Sequence, residues 1–342
     1  MPTATDSTVS ERARAFIDRS LVWDNTFPFG DSCGSPTRHR QMLARMQGVG
    51  YDCVSLTMAT DPHDAAHTVR KVAADDAWFR ANADRFVKVS SADDVLRARR
   101  EGKLAVVYGF QGTTPFEREI GLVDVFYRLG VRQALMAYNQ KNFVGDGCHE
   151  PGDGGLSAFG KQVVREMNRV GMLVDCTHTG YRTSMDVFEV AAGPVIFSHS
   201  NSRALIDHER NIRDDQAKAC AKTGGVIGLN GVGIFLGGNE ASADGLFRHL
   251  DHFVQLVGAR HVGLGLDVVT DREPLLEIVR AQAARYPASQ GYDVVPEFGW
   301  PELVPQVTER MLAAGYADAD VEGILGGNWL RVASQVWKPA AA

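Results

Sequence analysis

The stretch that decides the fold is G-M-L-V-D-C-T-H-T-G, residues 171–180, followed by G-P-V-I-F-S-H-S-N-S-R-A-L, residues 193–205. Each half holds a short apolar run that leads to a histidine, His178 in the first and His199 in the second. About twenty residues separate the two histidines, enough for a helix that returns the chain. The stretch therefore predicts a βαβ unit whose parallel strands each deliver an imidazole at the carboxyl end.

Imidazoles in this position favour a functional site. Neutral imidazole is the most common metal ligand, and barrel enzymes build their active sites at the carboxyl ends of strands. The alternative is two polar side chains that are satisfied by the local backbone. For a single histidine this alternative would be preferred, but two histidines on successive strands favour the site.

The alternation of buried strands and helices continues along the chain. Eight apolar segments predict strands at residues 21–23, 53–58, 104–110, 131–137, 172–174, 194–197, 226–230 and 262–266. Helices are predicted between them, with no internal repeat and no linker. They include residues 65–81, residues 92–100 with Ser91 as the N-cap, and residues 243–257. This pattern is typical of an α/β fold of the (β/α)8 barrel type. The runner-up is a doubly wound open sheet, but no G-x-G-x-x-G follows the first strand and no P-loop is present.

The segments outside this alternation complete a single predicted domain over residues 1–342. Residues 1–20 are expected to form an N-terminal helix. The Gly- and Asp-rich residues 145–155 are expected to form a loop or lid, and residues 268–342 a helical C-terminal extension.

Polar residues close the predicted strands, and in a barrel they converge on one mouth. They are Asp24, Gln111, Tyr138, His178, His199, Asn230 and Asp267. This convergence predicts a single polar site.

Composition limits the possible partners. A formal net charge of −6 and the absence of a basic run argue against nucleic acid as a partner. No apolar stretch approaches the roughly 18 residues of a membrane span, and no secretory signal is evident. Five cysteines without a C-x-x-C pair suit reduced thiols. We therefore expect a soluble, cytoplasmic protein.

The chemistry of these residue types points to a hydrolytic divalent metal site. Two imidazoles with one or two carboxylates match the ligand preference of zinc. Asp267 is placed to move a proton or to pair with a substrate ammonium, although it could instead cap a helix or form an ion pair. Arg210 could hold a substrate carboxylate or be a solvated surface arginine. Cys176 is a weaker candidate ligand, because cysteine is often a core residue.

Four longer segments resemble the membrane (renal-type) dipeptidases, peptidase family M19. They are residues 155–178, residues 194–212, H-V-G-L-G-L-D at 261–267 and G-I-L-G-G-N-W-L-R-V at 323–332. The resemblance implies a barrel with two bridged zinc ions at its mouth and hydrolysis of dipeptides. It implies that His178 and His199 bind the second zinc ion, that Arg210 holds the substrate carboxylate, and that Asp267 handles the substrate amino group and the proton. It also implies a homodimer.

The other half of the implied site departs from the family pattern. V-W-D-N-T-F-P replaces D-G-H-N-D-L-P, so that Asp24 stands for the histidine and Thr26 for the aspartate of the first zinc site. Gln111 replaces the bridging glutamate of the E-G-G motif. In the A-Y-N motif, Tyr138 replaces the substrate-facing histidine and is followed by Asn139, and both are candidate substrate-binding residues.

These departures predict one metal ion instead of two. Gln111 offers a neutral carbonyl oxygen that cannot bridge two ions as an anion, and two dications with one carboxylate would repel strongly. We therefore expect one divalent metal, zinc before others, on His178 and His199, completed by Asp24 or by Gln111 and water. Two ions or none are the alternatives.

Three functional hypotheses follow. The first is a dipeptidase-like metal-dependent hydrolase of a small amino-acid-derived amide or dipeptide with a free carboxylate. The second is an inactive barrel that binds a small zwitterion or a partner protein. The third is a hydrolase in which Asp24, Gln111 and Cys176 restore a two-metal site. The number of metal ions per chain separates them, because the first predicts about one ion, the second none and the third two.

Overall fold

The computed structural model describes residues 9–30 and 33–339. Within them the chain forms a barrel of eight parallel strands surrounded by helices, as predicted, and a ninth short strand pairs with the start of one barrel strand. The strands are β1 (Trp23–Pro28), β2 (Cys53–Thr60), β3 (Phe86–Lys88), β4 (Leu104–Gln111), β5 (Val131–Leu135), β6 (Leu173–Asp175), β7 (Val195–Ile196), β8 (Ile227–Leu229) and β9 (Val262–Leu264).

Parallel pairing runs around the barrel in the order β7-β6-β5-β4-β2-β1-β9-β8. Two hydrogen bonds close the ring between its ends. Phe197 N–H donates to the carbonyl of Val226 at 3.0 Å, and Gly228 N–H donates to the carbonyl of Phe197 at 2.7 Å. Because all these strands are parallel, their carboxyl ends share one mouth of the barrel.

Helices follow the strands and cover the barrel. They are α1 (Glu11–Arg19), α2 (Pro36–Val49), α3 (Ala65–Ala81), α4 (Ala92–Arg100), α5 (Gly121–Arg128), α6 (Ala158–Val170), α7 (Tyr181–Val190), α8 (Asp214–Lys222), α9 (Gly233–Leu236), α10 (Ala243–Val257), α11 (Arg272–Ala281), α12 (Leu303–Ala313), α13 (Asp318–Glu322) and α14 (Asn328–Val336). Residues 145–155 form a loop, as expected. Of the expected N-terminal helix, residues 1–8 lie outside the described part of the chain.

The strands differ from the prediction at two places. The first strand does not end at Trp23 but extends from Trp23 to Pro28, so Asp24 lies within β1 rather than after it. Pro28 has no backbone N–H to donate to a neighbouring strand, and the strand ends at this residue. The strand β3 was not predicted, because three residues carry too little periodicity and β3 exists only by pairing with the first half of β4.

The C-terminal helices seal the end of the barrel opposite the mouth. Trp329 on α14 is buried and donates from its indole N–H to the carbonyl of Leu264 at 3.1 Å. Asn328 donates to the carbonyls of Ala259 and Val262, both at 2.8 Å. The expected helical extension is therefore present and closes one end of the core.

Among the described residues, no helix combines the length and the apolar character needed to cross a membrane.

Candidate active site

His178 follows strand β6 in a left-handed backbone conformation, with φ of 61°. Its Nδ1 lies 2.6 Å from Oδ1 of Asn139. The amide of Asn139 is oriented by a second bond, because its Nδ2 donates to the carbonyl of Arg285 at 3.0 Å. Oδ1 is therefore an acceptor, and Nδ1 of His178 carries the ring proton. The lone pair of His178 is left on Nε2.

His199 follows β7 and is fully buried. Its Nδ1 lies 2.9 Å from Oγ1 of Thr26 and 2.7 Å from Oγ of Ser198. Both hydroxyls have acceptors of their own, the carbonyl of Asn25 for Thr26 and Oγ1 of Thr177 for Ser198. With both hydroxyls donating to these acceptors, Nδ1 of His199 donates in turn, and the lone pair of the ring also lies on Nε2.

The two Nε2 atoms face each other at 3.0 Å. Burial and the charge of Arg210 hold the pKa of each imidazole well below its usual range, so both rings are neutral. Two lone pairs at this distance repel each other unless a cation lies beside both. The predicted pair of metal ligands is therefore brought together, with the protonation and orientation that a shared divalent metal requires.

Asp24 is fully buried on β1. Its Oδ1 accepts from the backbone N–H groups of Leu266 at 2.9 Å and Thr26 at 3.2 Å, while Oδ2 has no hydrogen-bond partner among the described residues. Burial raises the pKa of Asp24 to about 7. A buried carboxylate with a free oxygen needs a proton or a cation. Within the described part of the chain, however, Asp24 does not join His178 and His199 in a group of three metal-ligating side chains, so its predicted role as a ligand finds no support in the geometry.

The described residues contain no group of three or more His, Cys, Asp or Glu side chains that could hold a metal. Gln111, the last residue of β4, lines the same cavity as His178 and donates its amide N–H to Oγ1 of Thr57 at 3.0 Å.

Cys176 belongs to the apolar core, because β6 ends at Asp175 and the turn to His178 breaks the alternation of the strand. The interpretation of Cys176 as a ligand thus finds no support in the fold.

Tyr138 stacks on the imidazole of His178, with ring centroids 4.0 Å apart. The hydroxyl of Tyr286 donates to the oxygen of Tyr138 at 3.2 Å, which leaves the Tyr138 O–H free to donate to a ligand. Burial raises the pKa of Tyr138 well above its usual value, so this donor keeps its proton.

Asp267 and Arg210 are two further charged groups near the histidines, and Arg285 lines the same cavity as His178. Asp267 accepts from the amide of Asn230 at 3.3 Å, and burial raises its pKa to about 6 against the lowering effect of Arg210. The guanidinium of Arg210 is buried, and its centre lies 5.2 Å from the ring centroid of Phe235. Within residues 9–30 and 33–339, its Nε has no hydrogen-bond partner. A buried guanidinium with a free donor suits an anionic ligand group.

The mouth holds a cavity of about 200 Å³. Gln111, Tyr138, His178 and Asp267 contribute its polar wall. Residues 268–299, hereafter the roof segment, cover it with apolar side chains of α11 and with Tyr286 and Tyr292. The roof residues were not predicted as part of the site. The apolar spacing of L-L-x-I-V at 275–279 was a signal for a buried helix face, but not for what it faces.

A second unpredicted residue is Asp175, the last residue of β6. Its Oδ1 accepts from the backbone N–H of Thr177 at 2.9 Å and of Ser198 at 3.1 Å. It thereby ties together the two loops that carry His178 and His199. Its position in D-C-T-H, just before the histidine, was the available signal.

The chain matches known proteins in sequence and in fold. Residues 20–277 match the model of the family described as membrane dipeptidase, peptidase family M19. The chain belongs to peptidase family M19. This confirms the resemblance seen in the sequence.

Individual M19 relatives agree with this. An uncharacterised dipeptidase of Schizosaccharomyces pombe is 34% identical over 258 residues, covering 73% of this chain and 56% of the relative. The dipeptidase tcpJ of Claviceps purpurea is 32% identical over 264 residues, covering 76% of this chain and 57% of the relative. The matched region thus spans little more than half the length of these two relatives.

Solved structures share the fold. A Pseudomonas aeruginosa amidohydrolase superposes with a TM-score of 0.84 at 29% identity and covers 95% of this chain and 99% of its own. The probable dipeptidase PvdM of the same organism reaches a TM-score of 0.76 at 19% identity, covering 96% of this chain and 98% of its own. The second shows the barrel fold alone. M19 dipeptidases depend on metal, which agrees with the donor set around the two histidines.

Proposed function

We propose that this chain is a metal-dependent hydrolase that cleaves the amide bond of a dipeptide or of another small amino-acid-derived amide with a free carboxylate. The observation that carries the proposal is the pair of neutral imidazoles whose Nε2 atoms face each other at 3.0 Å. Both rings are fixed by donation from Nδ1, which is how proteins orient metal-ligating histidines.

One metal ion fits this donor set better than two. On the side of β1 and β4, Thr26 and Gln111 are neutral, and only Asp24 can carry charge. With its pKa near 7, Asp24 is itself only partly ionised at neutral pH without a cation. A single zinc ion with two imidazoles, one oxygen ligand and an open position is the arrangement expected of a catalytic site.

Each polar group has a role in amide hydrolysis. His178 and His199 would hold a divalent ion, which when bound would polarise the amide carbonyl and acidify a water molecule. Asp267 accepts the proton of the attacking water and passes it to the leaving nitrogen as the C–N bond breaks. Tyr138 donates its free O–H to the carbonyl oxygen, and Arg210 holds the carboxylate of the substrate. The products are a carboxylic acid and an amine.

A second candidate function is a barrel that binds a small zwitterion without catalysis. The observation that favours it is that, within the described part of the chain, no third metal-ligating His, Cys, Asp or Glu joins the histidines. In this case Arg210 and Asp267 would hold the carboxylate and the ammonium of the ligand.

The test is metal content together with hydrolysis. Protein purified without chelator is subjected to elemental analysis and assayed with dipeptides that have an L- or D-residue in second position, and with N-acyl amino acids. The proposal expects about one ion per chain, loss of the ion in His199→Ala, and hydrolysis of at least one amide. Protein that stays metal-free and inert after addition of zinc or manganese would leave the binding barrel as the function.

Arg210→Lys tests the role of the arginine. Lysine keeps the charge but loses the paired N–H donors, so we expect KM to rise at least tenfold with a smaller change in kcat. An unchanged KM would show that Arg210 does not hold the substrate carboxylate.

A further inference from the structure

The roof segment turns an apolar face toward the cavity instead of toward the barrel core. Leu276 and Val279 on α11 are each only 6% exposed. In the described part of the chain, neither belongs to the contiguous hydrophobic core of the barrel, and both line the cavity. Leu275 and Ile278 line it as well, while the charged Glu277 and Arg280 on the same helix are exposed.

The edges of the roof segment are fixed to the barrel by hydrogen bonds. Thr270 donates to the carbonyl of Cys33 at 2.8 Å, and the Arg285 carbonyl accepts from Asn139 at 3.0 Å. At the far edge, His208 bonds the carbonyl of Gln290 at 2.7 Å. The apolar face of α11 is thus held over the mouth by polar contacts at the periphery. The cavity beneath it is a defined space.

The walls of the cavity differ in chemistry. Phe298, Pro296 and the apolar side chains of α11 form one part of the lining. Arg285 of the roof segment lines the cavity on the side of Tyr138, with its guanidinium carbon 5.9 Å from the ring centroid of Tyr138. Phe235 lines it as well, and its ring lies beside the guanidinium of Arg210. The groups proposed to act on the substrate, His178, Tyr138 and Asp267, belong to the polar wall. An apolar space therefore adjoins the reacting groups.

We propose that the apolar space under α11 binds an aromatic or branched aliphatic group of the substrate. This inference rests on the proposed function and specifies its substrate class. The substrates are amides with a bulky apolar acyl side and a free carboxylate on the amino-acid side. The size agrees, because an apolar cavity of about 150 Å³ accommodates a benzene molecule, and the whole cavity, including its polar wall, measures about 200 Å³.

The strength of the preference follows from the area that such a group removes from water. Each buried CH2 group contributes about fourfold in affinity. A phenyl ring in place of a methyl group is therefore expected to raise affinity at least tenfold, even when part of the ring stays in contact with solvent.

The test compares N-benzoylglycine with N-acetylglycine by isothermal titration calorimetry on the protein as purified. We expect N-benzoylglycine to bind at least tenfold more tightly. Val279→Thr keeps the volume but adds a hydroxyl to the wall, and Leu276→Asn makes a larger change. Each is expected to reduce the preference several-fold. Glu277→Ala, on the exposed side of the same helix, is the matched control and should leave the preference unchanged.

The outcomes separate this proposal from the proposed function. Equal affinities for the two probes, no binding of either, or a preference that survives in both folded variants would overturn the apolar subsite. A preference for N-benzoylglycine in a protein that hydrolyses no amide would support the subsite and remove only the hydrolase. Val279→Thr keeps the test valid if Leu276→Asn does not fold.

Discussion

The Nε2 atoms of His178 and His199 lie 3.0 Å apart, and each ring is held by hydrogen bonds on its Nδ1 side. Asn139 fixes the first ring, and Thr26 and Ser198 fix the second, so neither ring can turn away without losing these bonds. A cation beside both nitrogens removes the repulsion between two buried lone pairs. This relationship leads to the first two predictions.

Metal binding should stabilise the protein through these rings. Zinc at one hundred times its Kd is expected to contribute about 2.7 kcal/mol to the free energy of unfolding. Thermal denaturation with and without zinc checks this, and His199→Ala should abolish the shift. An equal zinc-dependent shift in the variant would place the ion elsewhere in the molecule.

Asn139→Gly should weaken metal binding without straining the backbone. Asn139 has φ of 62°, a conformation that glycine adopts readily, so the main change is loss of the amide that orients His178. We expect metal affinity to fall by about 10–100-fold, as measured by competition with a chromophoric chelator. An unchanged affinity would show that His178 needs no partner on Nδ1.

His249 on α10 should make the protein sensitive to acid. Its Nδ1 accepts from the backbone N–H of Ser202 at 3.0 Å, and burial lowers its pKa from 6.5 to about 4. The unfolded chain therefore binds more protons between these values, so stability is full above pH 6.5 and falls as the pH drops toward 4. The loss amounts to about 3 kcal/mol at most.

Urea denaturation at a series of pH values measures this effect. His249→Gln should have a flatter stability profile between pH 4 and 6.5 than the unmodified chain, even if it is less stable overall. His252→Gln is the matched control, since it removes a partly exposed imidazole from the same helix. Equal slopes in all three proteins would exclude His249 as the source.

Gly265→Ala should disturb the mouth of the barrel. A Cβ atom at Gly265 would lie 2.0 Å from the carbonyl oxygen of Ser198 and 3.1 Å from Cβ of His199. Such overpacking costs about 1–3 kcal/mol or more, and the shift should also reduce metal content. Urea denaturation and elemental analysis check the two effects.

Gly48→Ala is the control for the loss of a glycine. Gly48 lies in α2, where an added methyl group would meet no atom within 4 Å, and alanine favours helix. We expect a gain in stability of about 0.5–1 kcal/mol. A loss comparable to that of Gly265→Ala would mean that the close contact at the barrel mouth is not the cause.

The sequence was sufficient where local interactions decide the structure. The helices Ala65–Ala81, Ala92–Arg100 and Ala243–Val257 have the predicted bounds. In the second of these the predicted N-cap, Ser91, accepts from the backbone N–H of Asp94 at 3.3 Å. Caps and periodicity lie within a few residues of each other, so they can be read from the chain.

Prediction failed where partners distant in sequence determine the structure. Strand β3 depends on β4, and the length of β1 depends on β2 and β9 beside it. The apolar helix at 272–281 was visible only as part of a C-terminal extension. Its placement over the mouth follows from bonds to Asn139, Cys33 and His208, which no local pattern reveals.

The sequence by itself determined the barrel, the family and the two histidines at successive strand ends, because parallel strands bring their carboxyl ends together. Only the tertiary structure shows which side of each imidazole ring faces its hydrogen-bond partners and that Asn139 orients His178. It alone also shows that the roof segment covers the site. These features depend on side-chain hydrogen bonds between residues far apart in the chain, such as Thr26 with His199 at 2.9 Å. Such contacts exist only once the strands are packed.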